Sequence, residues 1–304
     1  MNCKKLGIVY NHTSINAWWQ SHTMAPSAIL LNENIIRVYL GCWDAKKISR
    51  IGYVDVDSKN PLNIIRVSDN PVLDIGKNGT FDENGVFPGH ATYIDKKIFL
   101  YYTGFQLGHK IRHYNFGGLA ISDDGGNSFY RYSECPIIDR ADEGLFVRAG
   151  QSTIWVDGKY ISVYSAGSNW HNIDGKLRPC YDIFLQKSED GINFNNIGKK
   201  IIEYDLDIEH GLGRPQIFMH NNKYLIFYTI RKISMKYDIG YAVSNDLINW
   251  ERKDNIKIKH SSNGWDSNMV YFPSVLKTNN KLFLFYCGNN FGETGFGVAE
   301  IFYD

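Results

Sequence analysis

The sequence predicts an all-β protein assembled from one unit used five times, and three observations carry that prediction. First, a strand-like run recurs along the whole chain: IIRVYLGCW from Ile35, KIFLYYTGF from Lys97, KYISVYSAG from Lys159, KYLIFYTIR from Lys223 and KLFLFYCGN from Lys281. Bulky residues alternate over about eight positions in each, the period of a strand. Second, each run follows another short strand pattern across a turn rich in Asn, Asp, Lys and Gly, as a hairpin requires. Third, Tyr 20, Phe 17, Trp 7 and Gly 28 in 304 residues favour strands and tight turns over helices.

Taken in order, the upstream runs are APSAILL, FPGHATYI, GQSTIWV, GRPQIFM and FPSVLKT. Third runs follow, closing in AISDDGGNSF, LQKSEDGINF and YAVSNDLINW. In these a Ser and an Asp open a tight turn and an aromatic packs back over it. Ser122 and Asp124 carry the fullest version, able to satisfy the turn's backbone amides, and the copies from Ser188 and Ser244 keep only part of it. The copies lie roughly 60 residues apart, near the upper end of propeller repeats. Five such units make a single five-bladed β-propeller, with blades over about residues 20–75, 80–140, 145–205, 210–262 and 265–304. The last unit is short of strands. The N-terminal strand over residues 5–11 is expected to complete it and close the ring, hiding its edges. Two stacked β-sandwiches are the competing architecture, but they do not produce a three-strand repeat of this length.

Charge and composition exclude several function classes. Lys+Arg is 33 and Asp+Glu is 32, a net charge of +1, without the basic excess of proteins that grip nucleic acid or anionic membranes. No run approaches the length of a membrane span. The N-terminus does not read as a secretory signal, which predicts a cytoplasmic protein. Five scattered cysteines with no CxxC pair argue against a disulfide framework, and no HxxH or HExxH spacing suggests a metal; no cofactor is expected.

In a propeller the innermost strand of each blade lines a central channel, so the residues leading into the first strands are the candidate site. They offer Trp18, Trp19 and His22; Asp82, Glu83 and His90; Arg148 and Gln151; Glu209, His210 and Arg214; and Asp266 and Tyr271. Aromatic faces suit sugar rings, while Arg and His suit hydroxyls or phosphates. Paired carboxylates are what glycosidic cleavage needs. Each residue has a plainer reading: Glu209 and Asp266 as loop carboxylates, Asp82 or Glu83 as a turn cap, Arg148 and Arg214 as arginines paired with Glu143 or Glu209, and any one aromatic as core. The basic, aromatic segment HKIRHYNFGG from His109 is a candidate rim loop for a phosphate, or simply a solvated loop.

The residues carry a resemblance as well. FDENGVFPGHA followed by YYTGF is similar to the blade-two signature of the invertase-type family. The chain resembles the five-bladed propeller glycosidases of the clan containing glycoside hydrolase families forty-three and thirty-two. It is most similar to cytoplasmic glycosidase-like proteins encoded with bacterial surface-polysaccharide genes, through SHTMAPSAILL, IRVYLGCWD, SRIGYVDVD, EHGLGRP, GWDSNMVYFPSV and NNFGETGFGVAE. The resemblance implies an active site in the central channel and maps Glu209 to the clan's acid. Two clan positions depart from the pattern: the first strand of blade one reads HTMAPS with no carboxylate, and the Arg-Asp-Pro element is Val147-Arg148-Ala149.

The expectation is therefore a glycosidase-type hydrolase acting on a small sugar conjugate, with Glu209 as acid and Asp82 or Glu83 as base. A nucleotide-linked sugar is attractive, since two arginines can hold a diphosphate and an aromatic can stack on a base. A propeller phosphorylase and a non-catalytic sugar-binding propeller are the alternatives.

Overall fold

The computed structural model describes the chain except residues 13–16, 195–196, 255, 257, 279–280 and 303–304. The described residues form twenty strands and one short helical turn. Strand β1 (Asn2–Tyr10) comes first in the chain. Sheet one is β2 (Ser21–Asn32), β3 (Ile35–Trp43), β4 (Ser49–Asp57) and β5 (Ile64–Val67). Sheet two is β6 (Val86–Ile94), β7 (Lys97–Leu107), β8 (His113–Ser122) and β9 (Tyr130–Arg131). Sheet three is β10 (Val147–Val156), β11 (Lys159–Ile173), β12 (Lys176–Ser188) and β13 (Lys199–Ile202). Sheet four is β14 (Glu209–His220), β15 (Lys223–Lys232), β16 (Tyr237–Ser244) and β17 (Glu251–Arg252). Sheet five is β18 (Tyr271–Lys277), β19 (Leu282–Cys287) and β20 (Phe296–Phe302), completed by β1 pairing antiparallel to β20. Pairing within each sheet is antiparallel. Sheets two and three also touch through a two-residue parallel step, Val147 opposite Asn115 and Arg148 opposite Phe116.

The first strands pack in a closed circle: β2 on β6, β6 on β10, β10 on β14, β14 on β18 and β18 on β2. The core follows the same circle. One apolar cluster joins sheets one and two around Tyr39, Ile51, Leu100 and Phe116. Others join five to one (Val38, Leu40, Phe283, Phe285), four to five (Phe227, Val275, Leu284), three to four (Val163, Ile183, Ile217, Ile226) and two to three (Phe99, Tyr101, Leu119, with Phe194). The fold is an all-β propeller. Because every sheet is covered by a neighbour on both faces, the second strands are buried almost continuously, as Ile98–Thr103 shows, instead of presenting one solvated face. Their sequence alternation is of shape, not of exposure.

Each first strand carries a register shift at the same depth: after Met24 in β2, Pro88 in β6, Ala149 in β10, Gly213 in β14 and Tyr271 in β18. A bulge of this kind turns carbonyls out of the ladder. Ala25, Arg214 and Phe272 take φ of 54°, 47° and 54° there, a left-handed region that costs a non-glycine residue on the order of 1–3 kcal/mol. What holds them is Arg214. Its guanidinium donates to the carbonyls of Pro88 (3.1 Å), Gly89 (2.7 Å), Pro273 (3.0 Å), Ala25 (3.2 Å) and Pro26 (2.5 Å). The fifth inner strand meets it at Gly150, where φ is +72° and a Cβ would stand 3.1 Å from Arg214 Cα. One side chain thus ties the inner strands at the axis.

The Ser–Asp turns are more alike than their sequences. In all three, the Ser Oγ accepts an amide three or four residues on (Gly126, Gly191, Leu247), and the Asp Oδ1 accepts two more. The copies from Ser188 and Ser244 keep the bonds although they lose the consensus.

Candidate functional site

A cavity of about 370 Å³ opens at the end of the ring where the first strands begin. Its walls come from all five sheets. Met24, Trp43 and Ser49 belong to sheet one, and Phe87, Phe105, Arg112 and His113 to sheet two and its β7–β8 hairpin. Arg178, Pro179 and Tyr181 lie on the long β11–β12 hairpin; Arg214, Arg231 and Tyr237 come from sheet four, and Tyr271 and Phe272 from sheet five. Lys47 stands at the rim.

Two features define its chemistry. Among the described residues, the wall holds five cationic side chains (Lys47, Arg112, Arg178, Arg214 and Arg231) and no Asp or Glu, and none of the five is ion-paired to a carboxylate. The wall also gathers buried polar atoms without a protein partner: Trp43 Nε1, Ser49 Oγ, His113 Nδ1, Arg178 Nε and the Tyr271 hydroxyl. Such orphans are few in folded proteins, and a cluster in one cavity calls for a ligand or water to satisfy it.

The cations are held by aromatics. Arg231 donates to the hydroxyls of Tyr181 and Tyr237 and lies 5.0 and 5.3 Å from their ring centres. Tyr237 in turn donates to His210 Nε2 (3.3 Å), whose Nδ1–H donates to the Pro179 carbonyl (3.3 Å); the tautomer follows from that carbonyl. Burial, then the charge of Arg231, pushes His210 down to about 3. Burial, then Arg112 and Arg231, pushes His113 down to about 4. Both imidazoles are therefore neutral near pH 7, and both sit within the field of Arg231.

The carboxylates expected from sequence stand elsewhere, and one arrangement explains most of them. The Tyr five residues after the opening Lys of each repeated run (Lys97, Lys159, Lys223 and Lys281) bonds to an acid, and a cation pairs with the same acid above the ring. Tyr102 donates to Asp82 (2.9 Å), which pairs with Arg131 (2.8 Å). Tyr164 donates to Glu143 (2.9 Å), paired with Arg148 (3.0 Å). Tyr228 donates to Asp254 (2.7 Å), paired with Arg252, and the same Arg252 holds Glu209 at 2.8 Å. Tyr286 donates to Asp266 (3.0 Å), paired with Lys5 (2.5 Å). The cations lie 5.4 to 6.0 Å from the ring centres.

So Asp82 and Asp266 are each 0% exposed and Glu209 3%, all within packing clusters and outside the cavity wall. The structure thus sets Glu209 and Asp82, the expected acid and base, in packing clusters and not on the cavity wall. Glu83 also lies outside, accepting the Gly79 amide (2.7 Å) and Gln106 Nε2 (3.2 Å). Arg148 pairs with Glu143. Arg214 pairs with no acid at all and bonds only carbonyls, so neither has its guanidinium aimed at a diphosphate. Trp19 is fully buried with Nε1 donating to the His22 carbonyl, and Trp18 donates to the Asp69 carbonyl while packing over Gly52. The aromatic presented to the cavity from this region is Trp43, stacked at 3.8 Å on His22. His90 is half-buried with Nδ1 accepting the Thr153 amide, and Gln151 is 1% exposed behind the wall. Of the expected residues, Arg214 and Tyr271 line the cavity, His22 and His210 back it, and Arg112 and His113 bring the basic segment from His109 to its wall. Arg178, Arg231, Trp43 and Ser49 were missed because they come from the ends of second and the starts of third strands, not from the lead into first strands. The one signal was the unusual length of KYISVYSAGSNWHNI and the Arg-Pro that follows it.

Comparison with known proteins gives the family. The glycosyl hydrolases family 32 N-terminal domain matches residues 60–206 and 213–296. The chain belongs to that family. It is 29% identical over 303 residues to the uncharacterized protein Rv1502 of Mycobacterium tuberculosis, covering 99% of each. Among solved structures it is similar to a thermostable family-43 glycoside hydrolase (TM-score 0.72, 18% identity, 96% of this chain and 94% of that one). It is also similar to a structure from work on the GH130 family of mannoside phosphorylases containing glycoside hydrolases that target β-1,2 mannosidic linkages in Candida mannan (TM-score 0.73, 16%, 98% and 93%). An α-L-arabinofuranosidase from Lactobacillus brevis aligns at TM-score 0.70 with 11% identity, over 93% and 91%. At these identities the structural likeness speaks for the fold. No helix among the described residues is long and apolar enough to cross a membrane.

Proposed function

We propose that this protein is a glycosidase-type hydrolase that cleaves a small sugar conjugate in the central cavity, and that the conjugate is a nucleotide-linked sugar used in surface-glycan metabolism in the cytoplasm. Family membership supports a sugar-directed reaction. The observation that carries the finer reading is the cavity wall, with four cations besides the carbonyl-bound Arg214 and no acid among its described residues.

Ordinary glycosides need a carboxylic acid to protonate a poor leaving group. A nucleoside diphosphate leaves as a stable anion and needs none. In the proposed reaction the bond between the anomeric carbon and the diphosphate oxygen breaks, with its electron pair staying on the diphosphate. A water oxygen bonds to the anomeric carbon. The water's proton passes to a neutral imidazole, for which His113 is placed: its Nδ1 is buried in the wall without a partner, against Phe105 at 4.9 Å. Trp43, Phe87 and Phe105 supply apolar faces for a ring.

Incubation with nucleotide sugars and aryl glycosides, with and without inorganic phosphate, tests this by chromatography of the products. Release of nucleoside diphosphate and free sugar, lost in His113→Ala but kept in Glu209→Gln, is expected. A requirement for phosphate would move the reading to a phosphorylase, which the cationic wall and the GH130 fold neighbour also accommodate. Saturable binding with no turnover of any conjugate would overturn hydrolysis in favour of a sugar-binding propeller.

A further inference from the structure

Resting on that sugar-directed reading of the cavity, we infer that Arg112, Arg178 and Arg231 form a phosphate-binding subsite on the wall between the β7–β8 and β11–β12 hairpins and sheet four. All three line the same cavity, from three separate elements. Their convergence is independent of the cavity outline: Arg112 and Arg231 both act on His113, and Arg178 and Arg231 both act on His210.

The charges are uncompensated and, for Arg231, fixed in place. Buried or half-buried arginines elsewhere in this molecule each have a carboxylate, as Arg37 does in Asp55 at 2.7 Å and Arg148 in Glu143. Arg231 instead has two tyrosine hydroxyls and two aromatic faces, which orient its guanidinium without neutralising it. Arg178 keeps a buried Nε with no partner. The nearest acid on β12, Asp182, is turned away, accepting the Tyr204 amide (3.0 Å) and pairing with Lys200 (3.3 Å). Three guanidiniums with no ion-paired carboxylate and no acid on the wall among the described residues present what a phosphate or diphosphate accepts: bidentate, charge-assisted hydrogen bonds in a partly water-excluded site. The neutral imidazoles of His113 and His210 add neither repulsion nor compensation. A sugar carboxylate would satisfy one guanidinium; three favour the larger charge of a phosphate or diphosphate.

Titration calorimetry of the full chain with inorganic pyrophosphate, inorganic phosphate and an uncharged monosaccharide tests the subsite. Saturable binding of pyrophosphate, or of phosphate, is expected, weakened about tenfold to a hundredfold in Arg178→Gln and in Arg112→Gln and unchanged in Arg66→Gln, an exposed arginine outside the cavity. Arg178→Gln is the decisive variant because Arg231→Gln also strips the buried Tyr237 and the half-buried Tyr181 of their partner; the melting temperature of Arg178→Gln should equal that of the parent. Pyrophosphate bound more tightly than phosphate points to the substrate's own diphosphate, and the reverse order to free phosphate as a reactant. Absence of binding by either anion, or binding indifferent to both variants, overturns the subsite. Hydrolysis of neutral glycosides without any effect of anions would leave the hydrolase standing and remove the subsite. Anion binding without turnover would keep the subsite and remove the hydrolase.

Discussion

Two sets of ionisable groups lie within one propeller and are arranged oppositely. Between the sheets, the carboxylates Asp82, Glu143, Asp254 and Asp266 each meet a tyrosine hydroxyl and a cation. In the axial cavity, cations meet tyrosines and carbonyls but no described acid. The same three residue types therefore make a closed cluster in one place and an open one in the other, and the missing member is always the carboxylate. A closed cluster is satisfied and adds rigidity; an open one is poised for an anion from outside.

The largest effect expected from breaking this contrast is at Arg214, the cavity cation whose N–H groups are already used. Arg214→Leu leaves five carbonyls of β2, β6 and β18 without a donor and three inner-strand residues in left-handed backbone with nothing to hold them. Each buried unsatisfied carbonyl costs about 1–3 kcal/mol, so a loss on the order of 5 kcal/mol or more is expected in urea denaturation, enough to leave many domains unfolded. A variant as stable as the parent would mean that the bulges hold themselves.

Next come the closed clusters. Asp82→Asn keeps the shape and removes the charge from a fully buried site, stranding Arg131 and Tyr102; about 2–4 kcal/mol of stability should go. Glu209→Gln should cost less, about 1–2 kcal/mol, since Asp254 still holds Arg252. Neither should change pyrophosphate affinity of the folded protein by more than about twofold, whereas Arg178→Gln should do the converse. An Asp82 or Glu209 variant that stays fully stable but loses turnover would place an acid back in the reaction and dissolve the contrast.

These clusters also explain what could be read from sequence. The repeat was legible because every second strand must fill the same space between two neighbours, so YYTG, VYSA, FYTI and FYCG carry the same Tyr. The site was not: an acid just before a first strand looks identical in sequence whether it serves packing or chemistry, and Asp82, Glu209 and Asp266 drew attention by that position, which the structure fills with packing clusters. Which loop ends reach the axis depends on hairpin length. Arg231 sits at the end of a strand with no signature of its own, and Arg178 is marked only by the length of its hairpin, while Arg112 and His113 were visible because their segment is basic in a nearly neutral chain.

The smallest effect sharpens the comparison from a third class of acid, the exposed turn aspartates. Asp124 and Asp190 have no cation; backbone and side-chain donors from the turn hold both down to about 2 from an ordinary 3.8, against the partial burial that alone would raise them. A lowered folded value means that the ionised acid stabilises the fold: the contribution is complete above about pH 4 and is lost as pH falls through about 2. Solvent screening keeps it small at sites this open. Stability measured by urea denaturation should therefore decline between pH 4 and pH 2, and the decline should be shallower in Asp190→Asn, which cannot be protonated there. The side-chain oxygen of Asn still accepts the amides of Ile192 and Asn193, so the neutral-pH loss isolates the charge from the bond. An unchanged acid slope in that variant would mean that the turns are held by geometry alone, and that the buried cluster around Asp266 carries the acid sensitivity of the fold.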